Sequence, residues 1–231
     1  MQKVIFPFDA ELKAELDQIR LAIQANQNGV ASRSMASTGY KLNYGVPYIT
    51  LRQIAAEHKQ NEKLADCLWN IGYRETMLIA TLLYPADKLT LVKCQELCED
   101  INEMELAEFA CKNLMAKIKD ANGLTIKLSA STKENSNIKT STVLPYLIAS
   151  WLIENGVCEE NTICTLNNLV GKDLESPSSH SAKAISCYLK QLSVLPKYAK
   201  ETDSFLKQCE SSDKICARWI AEEVKTFIEY H

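Results

Sequence analysis

Apolar positions along the chain recur at three- and four-residue intervals, and polar residues fill the gaps. Leu12, Leu16, Ile19, Leu21 and Ile23 predict an amphipathic helix over residues 9–26. The stretch Asn28–Tyr48 is rich in Ser, Gly and Asn and predicts a long loop. Thr50 with Gln53 three residues on has the form of a capping box, and Leu51, Ile54 and Ala55 give that helix its apolar side. Asn61 predicts the next N-cap, Leu64, Leu68 and Trp69 the inner face, and Gly72 the end. Met77 to Leu83 is apolar all round, which predicts burial on several sides, and Pro85 stops it. Thr90 predicts a helix start and Ile101 its end. Asn102 with Glu105 repeats the cap pattern before Leu106, Phe109, Ala110 and Leu114. Residues 121–137, with Gly123 and many Ser, Thr and Asn, predict an irregular connection. Helices follow at about 141–155, 160–170, 179–194, 197–210 and 213–230. Asp213 is the expected cap of the last, with Ile215, Trp219, Ile220, Val224 and Ile228 as its inner face.

The predicted starts repeat. Thr50 and Thr90 lie 40 residues apart, Asn61 and Asn102 41 apart, near the period of about 40–47 residues of HEAT and armadillo helical pairs. The expected fold is all-α: a HEAT-like α-solenoid of antiparallel helical pairs, with residues 1–231 as one domain and the connection at about 121–137 inside it. Composition agrees. Seven Gly and six Pro in 231 residues are about half of ordinary usage, too few for a protein of many tight turns. Hydrophobic residues at 46% and charged residues at 24% describe a chain that folds.

Other classes recede. No basic segment followed by an apolar run opens the sequence, so a secretory leader is not expected. The longest uncharged run, Thr140–Ile153, contains Pro145 and is shorter than the roughly 20 residues of a membrane helix, so no membrane partner is expected. Nine scattered cysteines, with Cys94, Cys98, Cys111 and Cys187 inside apolar helical patterns, read as small core residues in a reducing, cytoplasmic setting. The spacings Cys94-x3-Cys98 and Cys158-x5-Cys164 lack the paired short spacing of zinc sites, and three histidines make no metal centre. Neither a metal nor an organic cofactor is expected.

Charge is unevenly spread although the net is −3. Glu96 to Glu108 holds six acidic residues and no basic one. Lys112 to Lys139 holds six lysines against Asp120 and Glu134, and Lys183 to Arg218 holds seven basic against four acidic residues. Folding could gather these lysines on one face that attracts phosphates, or leave them as solvated helix faces.

Two segments carry a family resemblance. Tyr44-Gly45-Val46-Pro47-Tyr48-Ile49-Thr50-Leu51-Arg52-Gln53-Ile54-Ala55 is followed by Leu64-Ala65-Asp66-Cys67-Leu68-Trp69-Asn70-Ile71-Gly72-Tyr73-Arg74-Glu75. Together they resemble the DNA alkylation repair family of HEAT-like proteins, in which a Gly-Val … Leu-Arg element, a Leu-Trp helix end and an Arg-Glu helix start occur in this order. The resemblance implies a cradle for duplex DNA, with alkylated double-stranded DNA as partner. It also implies a glycosylase that releases alkylpurines such as N3-methyladenine or N7-methylguanine. An alkylated base is cationic, so an acidic side chain and aromatic faces stabilise its departure. The alternative is a non-catalytic HEAT-like scaffold that binds DNA structures or a protein. A monomer is the simpler expectation.

Active members carry aromatic residues followed by an Asp after the helix that succeeds the Arg-Glu helix. Here the corresponding stretch is Glu105-Leu106-Ala107-Glu108-Phe109, without Trp, and Glu108 is the nearest acid. Glu108 is therefore the candidate catalytic carboxylate, or else a solvated helix residue. Trp151 and Tyr188 are candidate stacking faces for a base, or else core aromatics. Where active members bring a second Trp, this chain offers Cys187 or Tyr188. Arg52, Lys139, Lys183 and Lys190 are the candidate phosphate contacts. Arg74 has an internal carboxylate as an alternative partner, and His58 the C-terminal dipole of its helix.

Overall fold

The structure is a computed structural model, and it describes residues 9–37, 39–131 and 140–231. Every regular element among them is helical. The chain divides after Leu89 into two units, which are described in turn.

The first unit begins with α1 (Ala10–Ala25), whose first turn is capped by the Asp9 carboxylate accepting from the Glu11 and Leu12 amides. Leu12, Leu16, Ile19 and Ile23 are buried, but Leu21 points to solvent. The region expected to be a loop contains α2 (Gly29–Ser37). Asn28 caps it through Oδ1 to the Val30 and Ala31 amides, so the Asn that suggested a loop is a helix start. Next is α3 (Tyr48–Ala56), which starts after Pro47 rather than at Thr50. Pro47 holds the extended backbone that enters the helix, which leaves the Thr50 hydroxyl inside the first turn and the predicted capping box unformed. His58 does not serve only a helix dipole, because its Nδ1 lies 3.0 Å from Glu15 Oε1 on α1.

Asn61 caps α4 (Glu62–Ile71) as expected, and Gly72 ends it at φ 75°, a left-handed conformation suited to glycine. Then comes α5 (Arg74–Leu83), buried on every side, Arg74 and Glu75 included. Packing places α1 beside α4 and α3 beside α5, with α4 and α5 in contact along their length.

The second unit contains α6 (Leu91–Glu99), α7 (Met104–Asn113), α8 (Ala121–Ser129), α9 (Thr140–Glu154), α10 (Glu160–Asp173), α11 (Ser179–Ser193), α12 (Ala199–Glu210) and α13 (Ile215–Tyr230). Alternate helices form two rows. One row runs α7, α9, α11, α13, and the other α6, α8, α10, α12. The rows cross-pack through α8–α9 and α12–α13. This is the layered arrangement of a helical repeat.

Thr90 caps α6 as expected, but Asn102 does not cap α7, because its amide turns back to the Asp100 carbonyl and Glu103 takes the cap position. The expected irregular connection is mostly α8, started by Asp120 accepting from the Gly123 amide. Asn122 within it ties down the α9–α10 turn, donating to the Val157 carbonyl and accepting from the Glu159 amide and the Thr162 hydroxyl. Residues 132–137 lie outside the described residues.

α9 carries Pro145 in its interior and is almost wholly buried between α7, α8 and α11. Lys214, not Asp213, precedes α13. The inner face of that helix is Ala217, Ile220, Ala221 and Val224, while Ile215, Trp219 and Ile228 face outward. The small Ala217 and Ala221 allow α13 to approach its neighbours closely, which turns the larger apolar side chains away.

All nine cysteines are free. Cys94, Cys98 and Cys111 are core residues, and Cys187 is half-buried. Burial pushes the Cys94 and Cys209 thiols up to about 11, which makes them packing groups rather than nucleophiles. No helix among the described residues is long and apolar enough to cross a membrane.

Candidate nucleic-acid interface

The candidate residues of the second unit lie on the α7–α9–α11–α13 row. Glu108 and Lys112 are four residues apart on α7 and share a face. Lys183, Cys187 and Lys190 stand at i, i+4 and i+7 on α11 and share another. These two faces meet, because the Lys183 ammonium is ion-paired with the Glu108 carboxylate. Farther along α11, Lys190 Nζ lies 2.6 Å from Glu223 Oε2 on α13. On the α7 side, Lys112 Nζ sits 4.6 Å from the ring centroid of the half-buried Trp151 of α9, a cation–π contact.

Cys187 occupies the middle of this strip. Burial raises its thiol pKa and Glu108 adds to that rise, Lys190 and Lys183 pull it down, and Glu223 raises it again. Four charged side chains from three helices thus surround one thiol. The strip of Lys112, Lys183, Lys190, Glu108 and Glu223 carries a net positive charge on half-exposed side chains. Among the described residues, no group of three or more His, Cys, Asp or Glu side chains could hold a metal ion.

One expected site residue of the second unit stands apart from the strip. Tyr188 belongs to the core: its ring is fully buried, and its hydroxyl donates to Asn167 Oδ1 at 2.8 Å. Its ring lies 5.4 Å from that of Tyr146, so it presents no face to a base. Helical geometry explains the difference, since Tyr188 is one residue and about 100° around α11 from Cys187. Arg52 is exposed on α3 of the first unit. Lys139 lies outside the described residues.

Lys112 and Glu223 join the strip in the structure without having been candidates from the sequence. The Glu108-x3-Lys112 spacing was a readable signal of a shared helix face. The pairing of Glu223 with Lys190 depends on packing between α11 and α13, which no local pattern encodes.

The first unit has a different polar cluster. Arg74 and Glu75 form a buried ion pair, Nη1 to Oε1 at 3.0 Å. Glu75 also accepts from the Tyr44 amide at 3.0 Å and the Val46 amide at 3.2 Å, while Arg74 Nη1 donates to the Val46 carbonyl at 2.8 Å. The Arg74 backbone amide donates to the Leu42 carbonyl. Tyr44 stacks on Tyr73 at 5.0 Å. The Tyr44-Gly45-Val46 and Arg74-Glu75 motifs are thus two halves of one clamp that fixes the entry into α3.

Layered rows of paired helices define the class of this protein as a HEAT-like helical repeat. The family model of the DNA alkylation repair enzymes matches residues 19–223, and the chain belongs to that family. Among solved structures it is similar to one described as a new family of proteins related to the HEAT-like repeat DNA glycosylases with affinity for branched DNA structures. The two share 15% sequence identity with a TM-score of 0.76, over 93% of this chain and 94% of that one. No curated protein sequence matches the chain.

Proposed function

We propose that this protein binds DNA through the α7–α9–α11–α13 face and that it recognises DNA structure without excising bases there. The observation that carries the reading is the strip of Lys112, Lys183 and Lys190 beside Trp151. Lys183 and Lys190 are seven residues apart, about 10.5 Å along α11. One strand of a duplex carries a phosphate every roughly 3.4 Å along the axis, so neighbouring phosphates of a strand can reach both lysines. The likeness to a structure with affinity for branched DNA supports a branched or distorted duplex as the ligand.

One contact argues against alkylpurine release beside Glu108. The described face of Trp151 is covered by the Lys112 ammonium, and a second cation stacked there would be repelled. Membership of the alkylation repair family favours the enzymatic reading, so both are tested together.

Binding to a labelled four-way junction and to a linear duplex of the same sequence is measured by anisotropy at about 50 mM and about 200 mM salt. The expected result is preference for the junction, with affinity falling steeply as salt rises. Lys183→Ala with Lys190→Ala should weaken binding at least tenfold and reduce the salt slope by about two contacts' worth. Salt-insensitive binding, or none at low salt, would overturn the reading. On methylated duplex DNA no purine release is expected, and release that disappears in Glu108→Gln would establish the glycosylase instead.

A further inference from the structure

We infer that Glu108 and Glu223 are internal stand-ins for DNA phosphates, holding Lys183 and Lys190 in place until the backbone displaces them. This inference rests on the DNA-binding reading and adds to it two residues that set affinity. The two pairs share one design. In each, a lysine of α11 meets a carboxylate from another helix of the same row, Glu108 from α7 across α9 on one side and Glu223 from the adjacent α13 on the other. A carboxylate and a phosphodiester oxygen accept the same charge-assisted N–H bond from an ammonium.

The pairs are open enough to exchange. Lys183 and Glu108 are 48% and 31% exposed, and Lys190 and Glu223 are 24% and 41% exposed. Exposed ion pairs are worth little, so an incoming phosphate has only a small competing interaction to replace. The lysines share one face because seven residues are close to two helical turns, and the half-buried Cys187 lies between them. The glutamates also have a cost for the ligand: once freed, each presents a negative charge to the DNA backbone. DNA that brings a phosphate to only one of the two lysines leaves the other pair intact. A DNA shape that offers two phosphates at the spacing of Lys183 and Lys190 displaces both. The glutamates thereby set a threshold that selects for shape.

Glu108→Gln and Glu223→Gln are compared with the unaltered chain for junction and duplex affinity. Each is made alone, together, and in a Lys183→Ala background. Glu201→Gln on α12, in the other row, controls for the loss of one negative charge. Each strip variant should tighten duplex binding about two- to fivefold, the worth of an exposed ion pair, and the double variant should narrow the preference for the junction. The gain from Glu108→Gln should vanish when Lys183 is alanine, since the two residues act as one unit. Glu201→Gln should change affinity less than twofold.

If the unaltered chain binds and the glutamine variants bind no tighter, the inference is overturned while the DNA-binding reading stands. The same holds if Glu108→Gln tightens binding equally without Lys183. If the double glutamine variant binds DNA that the unaltered chain does not, the masking is shown directly. If no protein binds, the reading and the inference fall together.

Discussion

Both units set a basic side chain against a glutamate, in opposite surroundings. Arg74 and Glu75 are 2% and 0% exposed, and three backbone groups of residues 44–46 hydrogen-bond to them. Lys183 and Glu108 are 48% and 31% exposed and are joined chiefly to each other. Withdrawing two charges from water costs several kcal/mol each, and only good geometry with further hydrogen bonds recovers it. The buried pair has those bonds, to three backbone groups of one loop, and so acts as a structural staple. The exposed pair costs little to make and little to break. A cation–glutamate pair therefore builds a scaffold in the first unit and a weakly held surface contact in the second.

The comparison breaks most directly at Glu75. Glu75→Ala leaves the Arg74 guanidinium buried without its carboxylate and strips the Tyr44 and Val46 amides of their acceptor. The expected loss is about 3–5 kcal/mol, the cost of an uncompensated buried charge, read as a lower urea midpoint. Exchanging both partners for apolar residues, Arg74→Met with Glu75→Leu, should not restore stability, because the backbone groups of residues 44–46 remain unpaired. A double variant as stable as the parent would show that the pair, not the loop it holds, sets the energetics.

Gly45 tests the other half of the clamp. Its φ is +71°, and a Cβ there would lie 2.3 Å from the Asn28 carbonyl oxygen and 2.5 Å from the Ser32 amide nitrogen. Both are backbone atoms at the start of α2, so neither can swing aside as a side chain would. Gly45→Ala should cost about 1–3 kcal/mol from strain at a left-handed position. The measurement is thermal unfolding, and an unchanged midpoint would mean that the α2 end tolerates displacement.

These two motifs explain what the sequence made legible. Gly45-Val46 and Arg74-Glu75 are short and carry residue types that only a special backbone position or a buried pair requires, so the family could be read from them before their contact was visible. The helix rhythm was legible because burial imposes it, and Asn61, Gly72 and Thr90 mark ends because their chemistry acts locally. Asn28 and Asn102 show the limit of that signal. The same residue type caps α2 in one place and turns back onto Asp100 in the other. The strip on the second unit was half legible. Lys183 and Lys190 were candidates from the sequence and the Glu108-x3-Lys112 spacing was readable on one helix, but Glu223 joins them only through packing between α11 and α13. Tyr188 had two readings, a stacking face where active members bring a second Trp or a core aromatic, and its buried ring fits the second.

The smallest effect gives the sharpest version of the comparison, since it sets two sides of one helix against each other. On α11, Tyr188 faces the core and Lys190, two residues on, faces the strip. Tyr188→Phe keeps the ring and its packing against Tyr146 but removes the donor to Asn167 Oδ1. The loss should be about 1 kcal/mol, the net worth of one neutral hydrogen bond with a partner left behind. DNA affinity and its salt slope should not move, because nothing on the strip is touched. Lys190→Ala should do the reverse, with stability held within about 0.5 kcal/mol and affinity reduced. The two variants are scored by the same pair of assays, urea unfolding and junction anisotropy. A fall in DNA affinity for Tyr188→Phe at constant stability would return Tyr188 to the interface. It would also mean that α11 turns its buried face toward the ligand when DNA binds.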